Sequence, residues 1–154
     1  MPNFKGFKGL GIIHKAMLAG QVFFAAIFFY LIYTAKYLPS KEGEEDRILQ
    51  VIGIVVAAAG FFAGTVVFKK KMVQARDLQA GTKEKFSIYW SACIIQWALI
   101  EGPCVINAVF FFVTGNYAFL GLAGTLIILF AWLAPSKDKA LLQLGLSEQD
   151  LADL

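Results

Sequence analysis

Apolar and polar positions along this chain are sorted into long blocks rather than alternated. Four blocks dominate, at about 14–35, 48–68, 87–114 and 117–134, and short charged or turn-forming connectors separate them. A hydrocarbon layer of roughly 30 Å takes about 20 helical residues to cross. Each block is about that long, lacks the period of two that marks a strand, and exceeds the length of a barrel strand. The pattern predicts an all-α, polytopic membrane protein. Residues 1–135 form a four-transmembrane-helix bundle, and residues 136–154 form a cytoplasmic tail with a short C-terminal amphipathic helix. The third block is longer than a crossing requires, so a tilt is expected there. Tyr89, Trp90, Tyr117 and Trp132 fall near block ends, where amphipathic rings favour the membrane–water interface.

Composition strengthens this picture. Charged residues are 16% of the chain, against about 25% in a typical soluble domain, and the fifteen Phe exceed what a small water-soluble core would use. The apolar stretch from Ala16 to Tyr33 follows Lys5, Lys8 and Lys15, as in a secretory signal. It is longer than a signal core of about 7–15 residues and no small-residue cleavage site follows, so it is expected to stay as the first span. Cys93 and Cys104 stand eleven residues apart in one block. On a helix that is about 16 Å, beyond disulfide reach, so both read as small buried side chains.

Charge sets the expected orientation. Lys5, Lys8 and Lys15 precede the first block, Lys69, Lys70, Lys71, Arg76, Lys83 and Lys85 follow the second, and Lys137 and Lys139 follow the fourth. On the other side, Lys36, Lys41 and Arg47 are diluted by Glu42, Glu44, Glu45 and Asp46. The positive-inside rule then places both termini and the 69–86 loop in the cytoplasm; for a bacterial protein the membrane would be the inner or plasma membrane. In the tail, Ser147–Asp150 has the form of a capping box. Leu141, Leu142, Leu144 and Leu146 suit either the membrane surface or a partner.

The first and third blocks resemble each other. Residues 16–29 align with 98–111, with identity at five of fourteen positions: Ala16/Ala98, Gly20/Gly102, Ala26/Ala108, Phe28/Phe110 and Phe29/Phe111. Both blocks enter from the same side, which predicts two pseudo-repeated hairpins related by an axis along the membrane normal.

Glu101 is the most conspicuous residue for chemistry. It lies about 20 Å from either end of its block, where an ionised carboxylate costs at least about 2.5–3.5 kcal/mol. A partner, internal water or protonation offsets such a cost. One reading makes Glu101 a proton or cation carrier, with Gln96, Asn107 and Gln21 as further ion- or proton-binding candidates. The other makes it a neutral carboxyl that fastens its helix to a neighbour through Gln21, Gln50, Thr65 or Thr125, or to another subunit. Gly102 and Pro103 predict a kink that frees the Leu99 carbonyl, a place for water or a cation. Gln96 and Asn107 share a face, with Glu101 about 120° from Asn107. His14 sits near the cytoplasmic edge and is expected to anchor there. Gly53, Ala57, Gly60 and Gly64 form a small-residue stripe suited to close helix packing. No metal-ligand spacing, nucleotide-binding loop or nucleophile motif occurs. No cofactor, metal or nucleic acid is expected, and an enzyme is not favoured.

The segment Ala98-Leu99-Ile100-Glu101-Gly102-Pro103 resembles the carboxylate-bearing helix of the ring-forming proteolipid subunits of F- and V-type rotary ATPases. The basic loop with Arg76-Asp77 before it adds to the resemblance, which covers about residues 50–113. It implies an ion-carrier role for Glu101. The chain departs from that family at Pro103, in the sparser glycines of its second block, and in its first and fourth blocks. The function expected first is a non-catalytic subunit of a larger membrane complex or homo-oligomer, in contact with membrane lipid and other subunits. The alternative is a proton- or cation-handling membrane protein that uses Glu101.

Overall fold

The computed structural model describes residues 6–34, 44–78 and 81–147. All regular structure among them is helical: α1 (Gly6–Tyr33), α2 (Glu44–Asp77), α3 (Thr82–Thr114), α4 (Tyr117–Trp132) and α5 (Lys137–Leu144). Three helices, α1, α2 and α3, are long and apolar enough to cross a membrane. With 16 residues, α4 is about 24 Å long. It qualifies only together with α5, from which it bends by 74°.

The helices run past the apolar blocks that announced them. α2 begins at Glu44 and continues to Asp77, although its apolar block spans only 48–68. Lys, Gln, Met and Arg are good helix formers, so residues 69–76 keep the helix going after the hydrophobic stretch ends. Apolar length reports how much helix a membrane covers; helix propensity and capping decide where it stops. Between α3 and α4 the stop is sharp. Gly115 takes the left-handed conformation at φ 69° and its N–H closes on the Phe111 carbonyl at 2.7 Å, a conformation that costs glycine nothing extra. Asn116 then caps α4 by accepting from the Ala118 N–H at 2.9 Å. Its side-chain amide donates to Asp46 at 2.7 Å, which ties the turn to the start of α2.

α3 is the central helix and packs on α1, α2 and α4. α1 runs parallel to it, as the contacts Phe7–Phe86, His14–Trp97 and Phe28–Phe112 show. α1 meets α2 only marginally, so the first of the two expected hairpins is not a packed unit. The reason lies in the faces. The inward stripe of α1, carrying Leu10, His14 and Gln21, is spent on α3 and α4, while the small residues of α2 are spent on α3. The core between the helices includes Trp97, Ile100, Cys104, Ala123, Leu126 and Phe130, and both cysteines are buried and free.

Helix α5 is not left on its own. Ala140 and Leu144 are buried against the bundle, and Arg76 at the end of α2 donates to the carbonyls of Gln143 at 2.6 Å and Leu142 at 2.7 Å. A cation on the last carbonyls of a helix satisfies acceptors that have no partner within the helix. The tail therefore docks on its own chain at this point, while Leu142 stays exposed. The Ser147–Asp150 capping box falls largely outside the described residues. Arg76→Gln should free α5, with faster tryptic cleavage at Lys137 and Lys139 and no loss of helicity in the bundle; limited proteolysis followed by mass spectrometry checks this.

Candidate functional site

Three of the polar candidates, Gln96, Glu101 and Asn107, sit on α3 and divide between its two flanks. One flank faces α2. Asn107 is fully buried there, and its amide nitrogen donates to the carbonyls of Pro103 at 2.9 Å and Gly53 at 3.3 Å. Gln96 is buried on the same side against Gly64. Between them lies Gly60. A methyl group at that position would collide with the Leu99 carbonyl oxygen and come within 2.5 Å of Pro103 Cγ. Gly53 is nearly as tight, since a methyl there would lie 2.6 Å from Asn107 Oδ1. The Gly53, Ala57, Gly60 and Gly64 stripe thus lets α2 lie against the proline segment of α3.

This packing changes the reading of the Leu99 carbonyl. Helix α3 continues through Pro103, and the oxygen that proline leaves without its usual N–H partner faces Gly60 rather than open space. A carbonyl against a glycine Cα makes a weak C–H···O contact. The position offered for a water or cation is filled by α2. The carboxyl of Glu101, two residues on, projects from the opposite side of the helix.

The other flank faces α1. Trp97, Glu101, Cys104, Ala108 and Phe112 share it by helical spacing, and Trp97 and Phe112 make ring contacts with His14 and Phe28 of α1. Glu101 is half-buried at the edge of this seam. The residues around it grade from buried Trp97 and Cys104 to exposed Ala98 and Gly102. Among the described residues Glu101 has no hydrogen-bond or ion-pair partner. The register set by the three ring contacts places Gln21 of α1 within about a turn of it. Gln21 is 2% exposed, and neither its amide nitrogen nor its oxygen is hydrogen-bonded. Gln50, Thr65 and Thr125 bond within their own helices, to Asp46, Phe61 and Gly121 respectively, so none of them fastens Glu101.

The candidates are therefore not one cluster. By helical spacing Glu101 falls on the flank that faces α1 and Gln21 on the inward stripe of α1, whereas Gln96 and Asn107 belong to the α2–α3 seam. His14 also departs from expectation. It is 3% exposed, its Nε2 donates to the Phe130 carbonyl at 2.9 Å, and its ring stacks on Phe130 at 4.7 Å and meets Trp97 edge-on at 4.8 Å. It is a core residue that joins α1 to α4, not an exposed anchor. The signal for this was its seven-residue spacing from Gln21, which puts both on one stripe. Tyr89 likewise lies in the core at 2% exposure rather than at an interfacial rim. His14→Phe should keep the ring packing and lose the hydrogen bond, costing about 1 kcal/mol; His14→Ala should cost several kcal/mol more by opening a cavity. Denaturation in mixed micelles checks both.

Comparisons with protein-family models, with curated proteins and with solved structures give no match for this chain.

Proposed function

We propose that this chain is a small integral membrane protein whose helices α1–α4 all cross the bilayer, with both termini and the 69–86 loop cytoplasmic. It acts as a non-catalytic subunit of a larger membrane complex or homo-oligomer. The observation that carries the reading is Glu101. Its Cα lies about 24 Å along α3 from Lys85 and about 20 Å from Thr114, deep in a hydrocarbon layer of roughly 30 Å. The side chain is half-buried at the edge of the bundle, and no group among the described residues pairs with it. A carboxyl at that depth on a lipid-facing rim is costly, and a neighbouring subunit that covers and pairs it removes the cost. The large apolar side chains on the outside of α1 and α2, among them Phe23, Phe24, Ile54 and Phe62, leave ample surface for such a neighbour. Crossing by α4 is supported by Tyr117 and Trp132 at its two ends, both exposed, with local thinning accommodating its shorter length.

Extraction from membranes in mild detergent, followed by native mass spectrometry, tests the reading. The expected species is larger than one chain. A monodisperse single chain that remains folded and stable would contradict it.

A second reading has its own support in Gln21. A buried, unpartnered amide within a turn of a mid-membrane carboxyl suits a proton- or cation-handling seam between α1 and α3, the role implied by the proteolipid resemblance at Ala98–Pro103. Flux measured in liposomes with wild type and Glu101→Gln separates this from the subunit reading.

A further inference from the structure

The end of the bundle where α1 begins, α2 ends and α3 begins is held by aromatic rings. Phe7 packs on Phe86 at 4.9 Å, Phe68 on Tyr89 at 6.2 Å, and Phe86 on Trp90 at 6.2 Å. These contacts draw the ends of three helices into one layer and fix the charges around it. That end, taken as residues 6–18, 68–90 and 126–147, carries ten Lys and Arg (positions 8, 15, 69, 70, 71, 76, 83, 85, 137 and 139) against Asp77, Glu84 and Asp138. At the opposite end the sequence carries Lys36, Lys41 and Arg47 against Glu42, Glu44, Glu45 and Asp46. Arg76 is occupied with α5, and Lys139 bonds the carbonyls of Trp132 and Ala134 at 3.3 and 3.4 Å. Lys8, Lys69, Lys70, Lys71, Lys83 and Lys85 are different: among the described residues none has a carboxylate within ion-pair distance. Among the described residues Asp77, Glu84 and Asp138 make no ion pair with them. Lys71 and Lys85 are half-buried on adjacent antiparallel helices, whose register (Phe68 on Tyr89, Gly64 on Gln96) sets them at similar height.

We propose that this unneutralised basic collar binds the headgroups of anionic phospholipids. The occupant follows from charge and level. The collar needs anions, and it surrounds the ends of membrane-length apolar helices. Anionic lipids supply phosphate at that depth with acyl chains that run along the exposed faces of α1 and α2. Lysines at the surface of an anionic leaflet are each attracted by an amount that corresponds to about a fivefold change in binding. The proposal rests on the reading that the helices span a bilayer.

The test uses the full chain reconstituted in vesicles of phosphatidylcholine with or without phosphatidylglycerol, with native mass spectrometry of the retained lipid. Wild type should retain phosphatidylglycerol over phosphatidylcholine, and added salt should weaken the preference. K69Q/K70Q/K71Q should lose it by tenfold or more, and K83Q/K85Q by a smaller factor. Arg47→Gln at the other end should change nothing. Equal retention of both lipids by wild type, or undiminished preference in both lysine variants, overturns the proposal. Alkaline carbonate extraction keeps the two claims apart. A protein that resists carbonate but shows no lipid preference sinks the collar alone, whereas one released by carbonate sinks the membrane-spanning reading as well.

Discussion

Gly60→Ala is expected to be the most damaging glycine-to-alanine change among the close-packed glycines of α2. The new Cβ would meet the Leu99 carbonyl oxygen and lie 2.5 Å from Pro103 Cγ, and neither can swing away. One is backbone, and the other is a ring locked into the helix. Overpacking of this kind costs typically 1–3 kcal/mol, and the upper end applies because α2 must move off α3 along their shared seam. Gly53→Ala should cost less, since its obstacle is the Asn107 side chain at 2.6 Å, although Asn107 is fully buried and has two hydrogen bonds to lose. At Gly64 the nearest atom is 3.2 Å away, so the substitution should cost about 1 kcal/mol or less. Gly121→Ala meets nothing within 4 Å and serves as the neutral control. Unfolding in mixed micelles across the four variants should give the order Gly60, Gly53, Gly64, Gly121. A flat series would mean that α2 and α3 do not pack along this stripe.

Glu101→Leu is expected to have the second large effect, on assembly rather than on folding. The side chain is half-buried and makes no hydrogen bond among the described residues, so the isolated bundle loses little when it is removed. A partner group that pairs with it in the complex would be stranded. Breaking a buried, hydrogen-bonded charge pair costs about 2 kcal/mol or more, which lowers association roughly 30-fold. Glu101→Gln keeps the shape and the capacity to hydrogen-bond, and should retain most of the assembly. Recovery of the complex in mild detergent measures both variants. If Glu101→Gln leaves assembly intact but abolishes proton or cation flux in liposomes, the carrier reading displaces the subunit reading.

How much of this was legible in the residues depends on the scale. The apolar blocks announced the helices, and the spacing of Glu101, Gln96 and Asn107 placed them on two flanks of α3. The small residues Gly53, Ala57, Gly60 and Gly64 marked the face of α2 that now lies on α3. What spacing along one helix cannot convey is which neighbour receives each flank. For that reason the Leu99 carbonyl looked open although Gly60 covers it, and the first two helices looked like a hairpin although α1 spends its inward face on α3 and α4. His14 stands near the expected cytoplasmic edge, which points to an interface, while the stripe it shares with Gln21 turns it into the core. Arg76 carried no local signal for its docking on α5, since its partners, the carbonyls of Leu142 and Gln143, stand far along the chain.

A spanning bundle requires the middle of α3 to lie inside hydrocarbon. Gly102 neighbours Glu101, is exposed, and has open space where a side chain would go, so a spin label on Gly102→Cys reads the surroundings directly once Cys93 and Cys104 are replaced by Ala. In liposomes the label should be relaxed strongly by oxygen and weakly by a water-soluble nickel complex. The reverse pattern, with nickel dominant, would put this stretch of helix in water and contradict the spanning bundle.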